Sequence, residues 1–303
     1  MASTAAKSTT SVYDIVTEQI LAQLEAGTVP WHRPWKASGV PVSMSTRKPY
    51  RGVNPFLLAM SADAGGWSSP WWGTYKHIEQ LGGQVRRGER STLVVFWKTG
   101  TRDLTAEEKA AGKSARWAVL RYFRVFNAEQ ADGLPARFHP AAEEEGRQFD
   151  PIAEAELIVK GWDDGPEIVH QGDRACYSPG LDVVYLPARE AFESAHGYYS
   201  TAFHELTHST GHPTRLARAT LMEAHGFGDP SYSKEELVAE MGAAMLSGVA
   251  GIDQLTVPQS AAYLASWIKV LRGDSKLIVQ AAGQAQKAAD LILGTTFPDD
   301  TDD

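Results

Sequence analysis

In SVYDIVTEQILAQLEAG, residues 11–27, Val12, Val16, Ile20 and Leu24 recur four apart, and Ile15 and Leu21 widen the same face. Apolar residues at that spacing share one side of a helix, so the pattern predicts an amphipathic helix stopped at Gly27. NPFLLAMSADAGG (54–66) and TYKHIEQLGG (74–83) read as two further helices, each closed by a glycine pair. The period then changes. STLVVFWK (91–98) and RWAVLRYFRVFN (116–127) are rich in β-branched and aromatic residues, which predicts paired strands with a charged insert between them. Beyond residue 150, IAEAELIVKGW reads as a helix and CYSPGLDVVYLP (176–187) as two short strands joined at Pro179-Gly180. Helical periodicity returns around residues 201–212, in SKEELVAEMGAAMLSG, and in two closing segments, QSAAYLASWIKVLRG and DSKLIVQAAGQAQKAADLILG. The expected fold class is α+β in two domains.

The stretch between these halves, 131–151, is polar, proline-punctuated and acidic, and is expected to be the interdomain linker. That gives a disordered tail at 1–11, a front domain at 12–130, a back domain at 152–296 and an acidic tail at 297–303. Charge divides along the same line. Residues 1–130 hold 17 Lys and Arg against 10 Asp and Glu, and residues 131–303 hold 12 against 27. The halves are therefore +7 and −15 within an overall −8, and seven of the nine tryptophans lie in the basic front. Two modules with different partners are expected. No apolar run is long enough to span a bilayer, and the first residues lack the hydrophobic segment of a secretory signal. The single cysteine, Cys176, suits a reducing cytoplasm, and it leaves any metal to histidine and carboxylate ligands.

Such ligands occur together in TAFHELTHSTGH (201–212). Residues four apart on a helix stack on one face, so His204 and His208 can aim their imidazoles at one point. Glu205 stands beside the first histidine, where a carboxylate can take a proton from a water activated by the metal. Zinc is the expected ion, although a histidine and carboxylate set also suits manganese, cobalt or nickel. A catalytic zinc uses three protein ligands. SKEELVAEMGAAML offers Glu235, Glu236 and Glu240 for the third, and Asp229 and His212 are further candidates beside Glu236. Glu236 and Glu240 share a helical face, so one can bind metal while the other supports a ligating histidine. Ser233-x-x-Glu236 can alternatively be read as a capping box at a helix start.

HELTHSTGH (204–212) followed by YSKEELVAEMGAAML (232–246) resembles the zincin-like metallopeptidase domain of ArdC-type antirestriction proteins, a group carried by conjugative plasmids and similar to Spartan-type DNA-linked proteases. In glutamate-type zincins the ligand glutamate opens a helix of the form E-x-x-A-E. The resemblance thus implies Glu236 as the third ligand and Glu240 as its supporting carboxylate. PYRGVNPFLL (49–58) and WWGTYKHIEQLGGQVRRGERSTLVVFWK (71–98) are similar to the single-stranded-DNA-binding domain of the same family.

The front half supports that implication by composition. Single strands are held by cations along the phosphates and by aromatic faces against the bases. Trp31, Arg33 and Trp35 in a proline-punctuated loop, Arg47, Lys48, Arg51, Trp71 and Lys76, and the turn with Arg86, Arg87 and Arg90 are the expected DNA contacts. The other reading of that turn is a solvated tip. Trp72, Tyr75 and Trp97 lie in apolar-patterned segments and are expected in the core. No duplex-reading motif is present, so binding should be independent of sequence and steeply salt-sensitive. The implied function is protection of incoming conjugative DNA from restriction in the cytoplasm. A protein substrate, such as a restriction component or a DNA-bound protein, is implied for the metal site. A regulatory protease tethered to DNA, or a binding protein with structural zinc, would carry the same motifs.

Overall fold

The structure is a computed structural model that describes residues 11–32, 39–139, 151–223, 230–252 and 260–295. Helix α1 (Val12–Glu25) begins at a capping box in which Ser11 and Asp14 satisfy each other's backbone N–H groups. Its buried face is Val16, Thr17, Ile20 and Leu24, close to the predicted stripe. Helix α2 (Asn54–Gly65) ends on Gly66 at φ +69°, the left-handed cap that the glycine pair promised.

Strands β1 (Val42–Ser43) and β2 (Trp71–Gly73), then helix α3 (Tyr75–Gln80) and strand β3 (Gln84–Val85), lead to two long strands, β4 (Thr92–Thr101) and β5 (Arg116–Asn127). These two pair antiparallel from Thr92 opposite Val125 to Thr101 opposite Arg116. The charged insert between them contains a short helix, α4 (Ala106–Ala110). The four-stranded sheet has the order β1-β2-β5-β4, with β1 and β2 parallel.

Residues 131–139 belong to this front unit and not to a linker. Ala131–Asp132 form β6, which pairs with β3, and Phe138 is buried in a cluster with Ile78 and Leu134. Residues 140–150 lie outside the described residues.

The back unit opens with α5 (Pro151–Lys160) and a three-stranded sheet of β7 (Glu167–His170), β8 (Cys176–Ser178) and β9 (Val183–Leu186), ordered β7-β9-β8. Strands β8 and β9 are the predicted antiparallel pair, while β7 lies parallel to β9. Helices α6 (Ala195–Ser209), α7 (Ala219–Glu223), α8 (Pro230–Ala250), α9 (Ala261–Gly273) and α10 (Leu277–Ile292) complete it. Helix α6 packs against both the sheet and α8, and α10 packs chiefly on α8.

The two units are not strung on a tether. One hydrophobic cluster contains Ile20, Leu24 and Trp31 of the front together with Leu246, Trp267 and Ile278 of the back. Burying each aliphatic side chain of that kind stabilises by about 1.5–3 kcal/mol. Polar contacts cross the same boundary. Thr17 donates to the Ser275 carbonyl at 2.8 Å, Gly52 N–H to Gln286 at 3.1 Å, and Arg51 pairs with Asp290. Among the described residues, no helix is long and apolar enough to cross a membrane.

Candidate metal centre

Helix α6 starts at Ser194, whose hydroxyl accepts from Gly197 N–H. Its apolar side, Ala202, Phe203 and Leu206, is buried, which fixes the rotation of the helix and turns His204 and His208 toward α8. Their Nε2 atoms lie 3.1 Å apart. From α8, Glu236 approaches both, with Oε2 at 3.5 Å from His204 Nε2 and Oε1 at 3.5 Å from His208 Nε2. A tetrahedral ion with bonds of about 2.0–2.1 Å separates its donors by about 3.3 Å. Taking one donor atom from each, the three side chains lie within 4.8 Å of one another, close enough to converge on a divalent cation, and they form the one such cluster among the described residues.

Helix α8 begins at Pro230, so Ser233 lies inside it and the capping-box reading of Glu236 falls. His212 follows the end of α6, and its Nδ1 is 2.8 Å from the Thr214 hydroxyl, outside the cluster. Asp229 lies outside the described residues.

The carboxylate that supports a histidine is Glu235 and not the expected Glu240. Glu235 Oε1 is 3.3 Å from His208 Nδ1. The same carboxylate accepts from Arg218 Nη2 at 2.6 Å, Arg218 Nε at 3.1 Å and the Thr220 hydroxyl at 2.6 Å. Arg218 also donates to the carbonyls of Thr207 and His208, at 2.8 and 3.2 Å, and so satisfies the open end of α6. Sequence pattern could not separate Glu235 from Glu236. The signal available was that adjacent residues on a helix point about 100° apart, so two neighbouring glutamates serve two different partners.

Glu240, one turn beyond Glu236, is held elsewhere. It accepts from the Trp31 indole N–H at 2.6 Å and the Tyr263 hydroxyl at 2.6 Å. Burial, then the adjacent Glu240, pushes the Tyr263 hydroxyl up from its ordinary value.

The electrostatics of the cluster suit a cation. Burial opposes charge on His208, yet hydrogen bonds to Glu235 and Glu236 push its pKa up to about 10. Burial likewise opposes charge on Glu235, and His208 and Arg218 nevertheless hold its carboxyl at about 2. Burial again works against Glu236, which His204 and His208 hold well below the carboxylate range. Glu205 is buried beside His204 on α6. Tyr232, one turn before Glu236, has its hydroxyl pushed up first by burial and then by Glu236 and Glu205. It therefore belongs to the site, although the sequence did not single it out.

The expected DNA contacts separate into three groups. Arg47, Lys48, Lys76, Arg87 and Arg90 are exposed cations. Arg86, also exposed, is paired with Glu89 at 2.9 Å and Asp132 at 3.4 Å. Arg86 and Arg87 line an open cleft of about 590 Å3 with Tyr75 and Phe126. Trp31 and Arg51 are corrections. Trp31 has no exposed surface and packs edge-on against Trp267 at 5.8 Å, so it offers no face to a base. Arg51 is committed to Asp290. Trp71 is half-buried, edge-on to Phe138 at 5.3 Å. Arg33 and Trp35 lie outside the described residues. Of the tryptophans and tyrosines expected in the core, Trp72 is buried, but Tyr75 and Trp97 are 47 % and 46 % exposed.

Comparison with known proteins matches the chain in two segments. Residues 10–126 match the family described as the N-terminal domain of anti-restriction factor ArdC, and residues 153–284 match the family described as Zincin-like metallopeptidase. The uncharacterized protein y4eC of Sinorhizobium fredii is 37 % identical over 93 % of this chain and 91 % of its own length. A DNA primase TraC of Escherichia coli is 38 % identical over 93 % of this chain, which spans 27 % of that larger protein. Two crystal structures of the antirestriction ArdC protein from plasmid R388 superpose closely. The metal-free form has a TM-score of 0.73 and 38 % identity, covering 93 % of this chain and 96 % of that one. The Mn(II)-bound form has a TM-score of 0.74 and 38 % identity, covering 94 % and 97 %.

Proposed function

Because the chain belongs to the ArdC antirestriction family, we propose that it binds single-stranded DNA through its front unit, protects incoming conjugative DNA from restriction in the cytoplasm, and carries a zinc-dependent peptidase centre. The observation that carries the peptidase half is the triangle of His204, His208 and Glu236 with Glu205 at its side. Three protein donors leave a further position open, as a catalytic site requires and a four-ligand structural site does not. An ion held there supplies Lewis acidity toward a peptide carbonyl and lowers the pKa of a water. Glu205 takes the proton of the attacking water and returns it to the leaving amine. Tyr232, its hydroxyl kept neutral by burial and then by the neighbouring carboxylates, offers a hydrogen-bond donor beside them. The substrate class is a protein on or beside the bound strand, such as a restriction component.

Glu205→Ala tests this reading. The variant should hold metal and single-stranded DNA as the parent does and lose hydrolysis of a DNA-bound protein. Hydrolysis that persists in this variant, or metal retained by His204→Ala with His208→Ala, refutes the peptidase assignment. A restriction-protection assay on Glu205→Ala then separates the two activities, since protection by binding alone would survive the change.

A further inference from the structure

We propose that the β4–β5 ribbon is a base-stacking arm that extends the single-strand site of the front unit. Its root is fixed on both sides. Val94 and Val125 are buried with Trp72 and Leu58, while Leu93, Val95 and Leu120 join the core cluster that includes α1. Beyond that root the pairing continues to Thr101 opposite Arg116, with Tyr13 of α1 meeting Trp97 at 6.3 Å on one side.

The observed register decides which side chains share a face. Phe96 stands opposite Arg121, Lys98 opposite Val119, and Gly100 opposite Trp117, all on the side that Val94 and Phe123 occupy at the root. Phe96, Trp117 and Phe123 are 40 %, 37 % and 52 % exposed. Phe96 and Phe123 meet edge-on at 5.3 Å, which leaves a ring face open to solvent. The Trp117 indole lies over Gly100, where any Cβ would come within 2.6 Å of the ring, so its plane is set against the backbone. The opposite side of the ribbon repeats the theme with Trp97, Tyr122 and Arg124.

A contiguous exposed apolar patch of this kind marks a binding surface. Its charge identifies the occupant. The two strands carry Lys98, Arg116, Arg121 and Arg124 and no aspartate or glutamate, and none of these four cations is in an ion pair with another described residue. A second copy of the arm would bring like charges together. Rings interleaved with unpaired cations instead match the two chemical elements of a single strand, stacked bases and phosphates. The ribbon is also continuous with the cleft that holds Arg86 and Arg87, because Phe126 on β5 meets Tyr75 at 6.4 Å and both line that cleft.

This inference rests on the single-strand reading above, and the experiment separates the two. Affinity of the full chain for a fluorescein-labelled oligothymidine and for a duplex of equal length is measured by anisotropy at several salt concentrations. The variants are Phe123→Ala, Trp117→Ala and Arg121→Glu. Each is expected to weaken single-strand binding about five-fold or more, and Arg121→Glu is expected to reduce the salt slope by about one. Arg121→Glu removes no ring, so it reports on the arm even if an aromatic change disturbs the ribbon. Binding by the parent chain with unchanged affinity in all three variants overturns the arm and leaves the single-strand reading standing. A parent chain that does not bind the oligonucleotide refutes both. Unchanged affinity with a shift in sedimentation would make the arm a contact between copies, which also overturns the proposal.

Discussion

Severing Glu235 from Arg218 should destabilise the protein and loosen its metal site together. Both side chains are 3 % exposed, and the carboxylate accepts two bonds from the guanidinium as well as those from Thr220 and His208. Glu235→Gln keeps the volume and removes the charge, leaving Arg218 buried without its counter-ion. Breaking one side of such a pair costs about 3–5 kcal/mol. Gln can retain a bond to Thr220, which places the expected loss near the lower figure, about 3 kcal/mol. The same change loosens the orientation of His208, and losing a supporting carboxylate of this kind weakens metal binding about 10- to 100-fold. Urea unfolding of the metal-free protein measures the first effect, and competition with a chelating dye measures the second. A cycle with Arg218→Met and the double variant isolates the pair. The double variant should lose clearly less than the sum of the single ones, because it leaves neither charge unpaired. Additive losses, or a Glu235→Gln protein within about 0.5 kcal/mol of the parent with unchanged metal affinity, would refute the reasoning.

Two further outcomes are expected. At Gly242 on α8 a Cβ would lie 2.4 Å from Thr207 Cγ2, and Thr207 is pinned by its bond to the Phe203 carbonyl. Gly242→Ala should therefore force α6 and α8 apart at a cost of about 1–3 kcal/mol, only partly offset by the gain in helix propensity; an unchanged Tm would count against this packing. Glu156 gives a pH signature away from the metal. Burial would raise its carboxyl, but bonds from Tyr199, Lys160 and Arg189 hold it at about 2 against an ordinary 4.5. A folded value below the unfolded one adds stability above about pH 4.5 that disappears as pH falls toward 2. The drop alone corresponds to about 3 kcal/mol, which partial exposure reduces to about 1–2 kcal/mol. The Tm difference between the parent and Glu156→Gln should be present at pH 7 and vanish near pH 2, and a difference independent of pH would contradict it.

Local signals carried most of the fold and the centre of the site. The four-residue spacing that set α1 also set His204 and His208, because both rest on helix geometry alone. What escaped depended on partners distant in sequence. Trp31 sits in a proline-punctuated loop and reads as exposed, yet its N–H meets a carboxylate 209 residues later. Trp97 reads as core, yet its ring, although it meets Tyr13 of α1, stays 46 % exposed. Arg218 carries no motif at all. It stands ten residues beyond His208, and only the fold returns it to the carbonyl end of α6. The short strands β1, β3 and β6 are two residues each, too brief for any periodicity to register.

Helix α8 brings three acids to three different neighbours within six positions: Glu235 to Arg218, Glu236 to the histidines, Glu240 to Trp31 and Tyr263. The seam between the halves and the metal pocket are thus successive turns of one rod. A chain that shed its front half would uncover the indole's socket and leave the half-buried Glu240 short of a donor one turn from the candidate ligand Glu236. The boundary between the two family matches does not mark a place where this molecule can be cut.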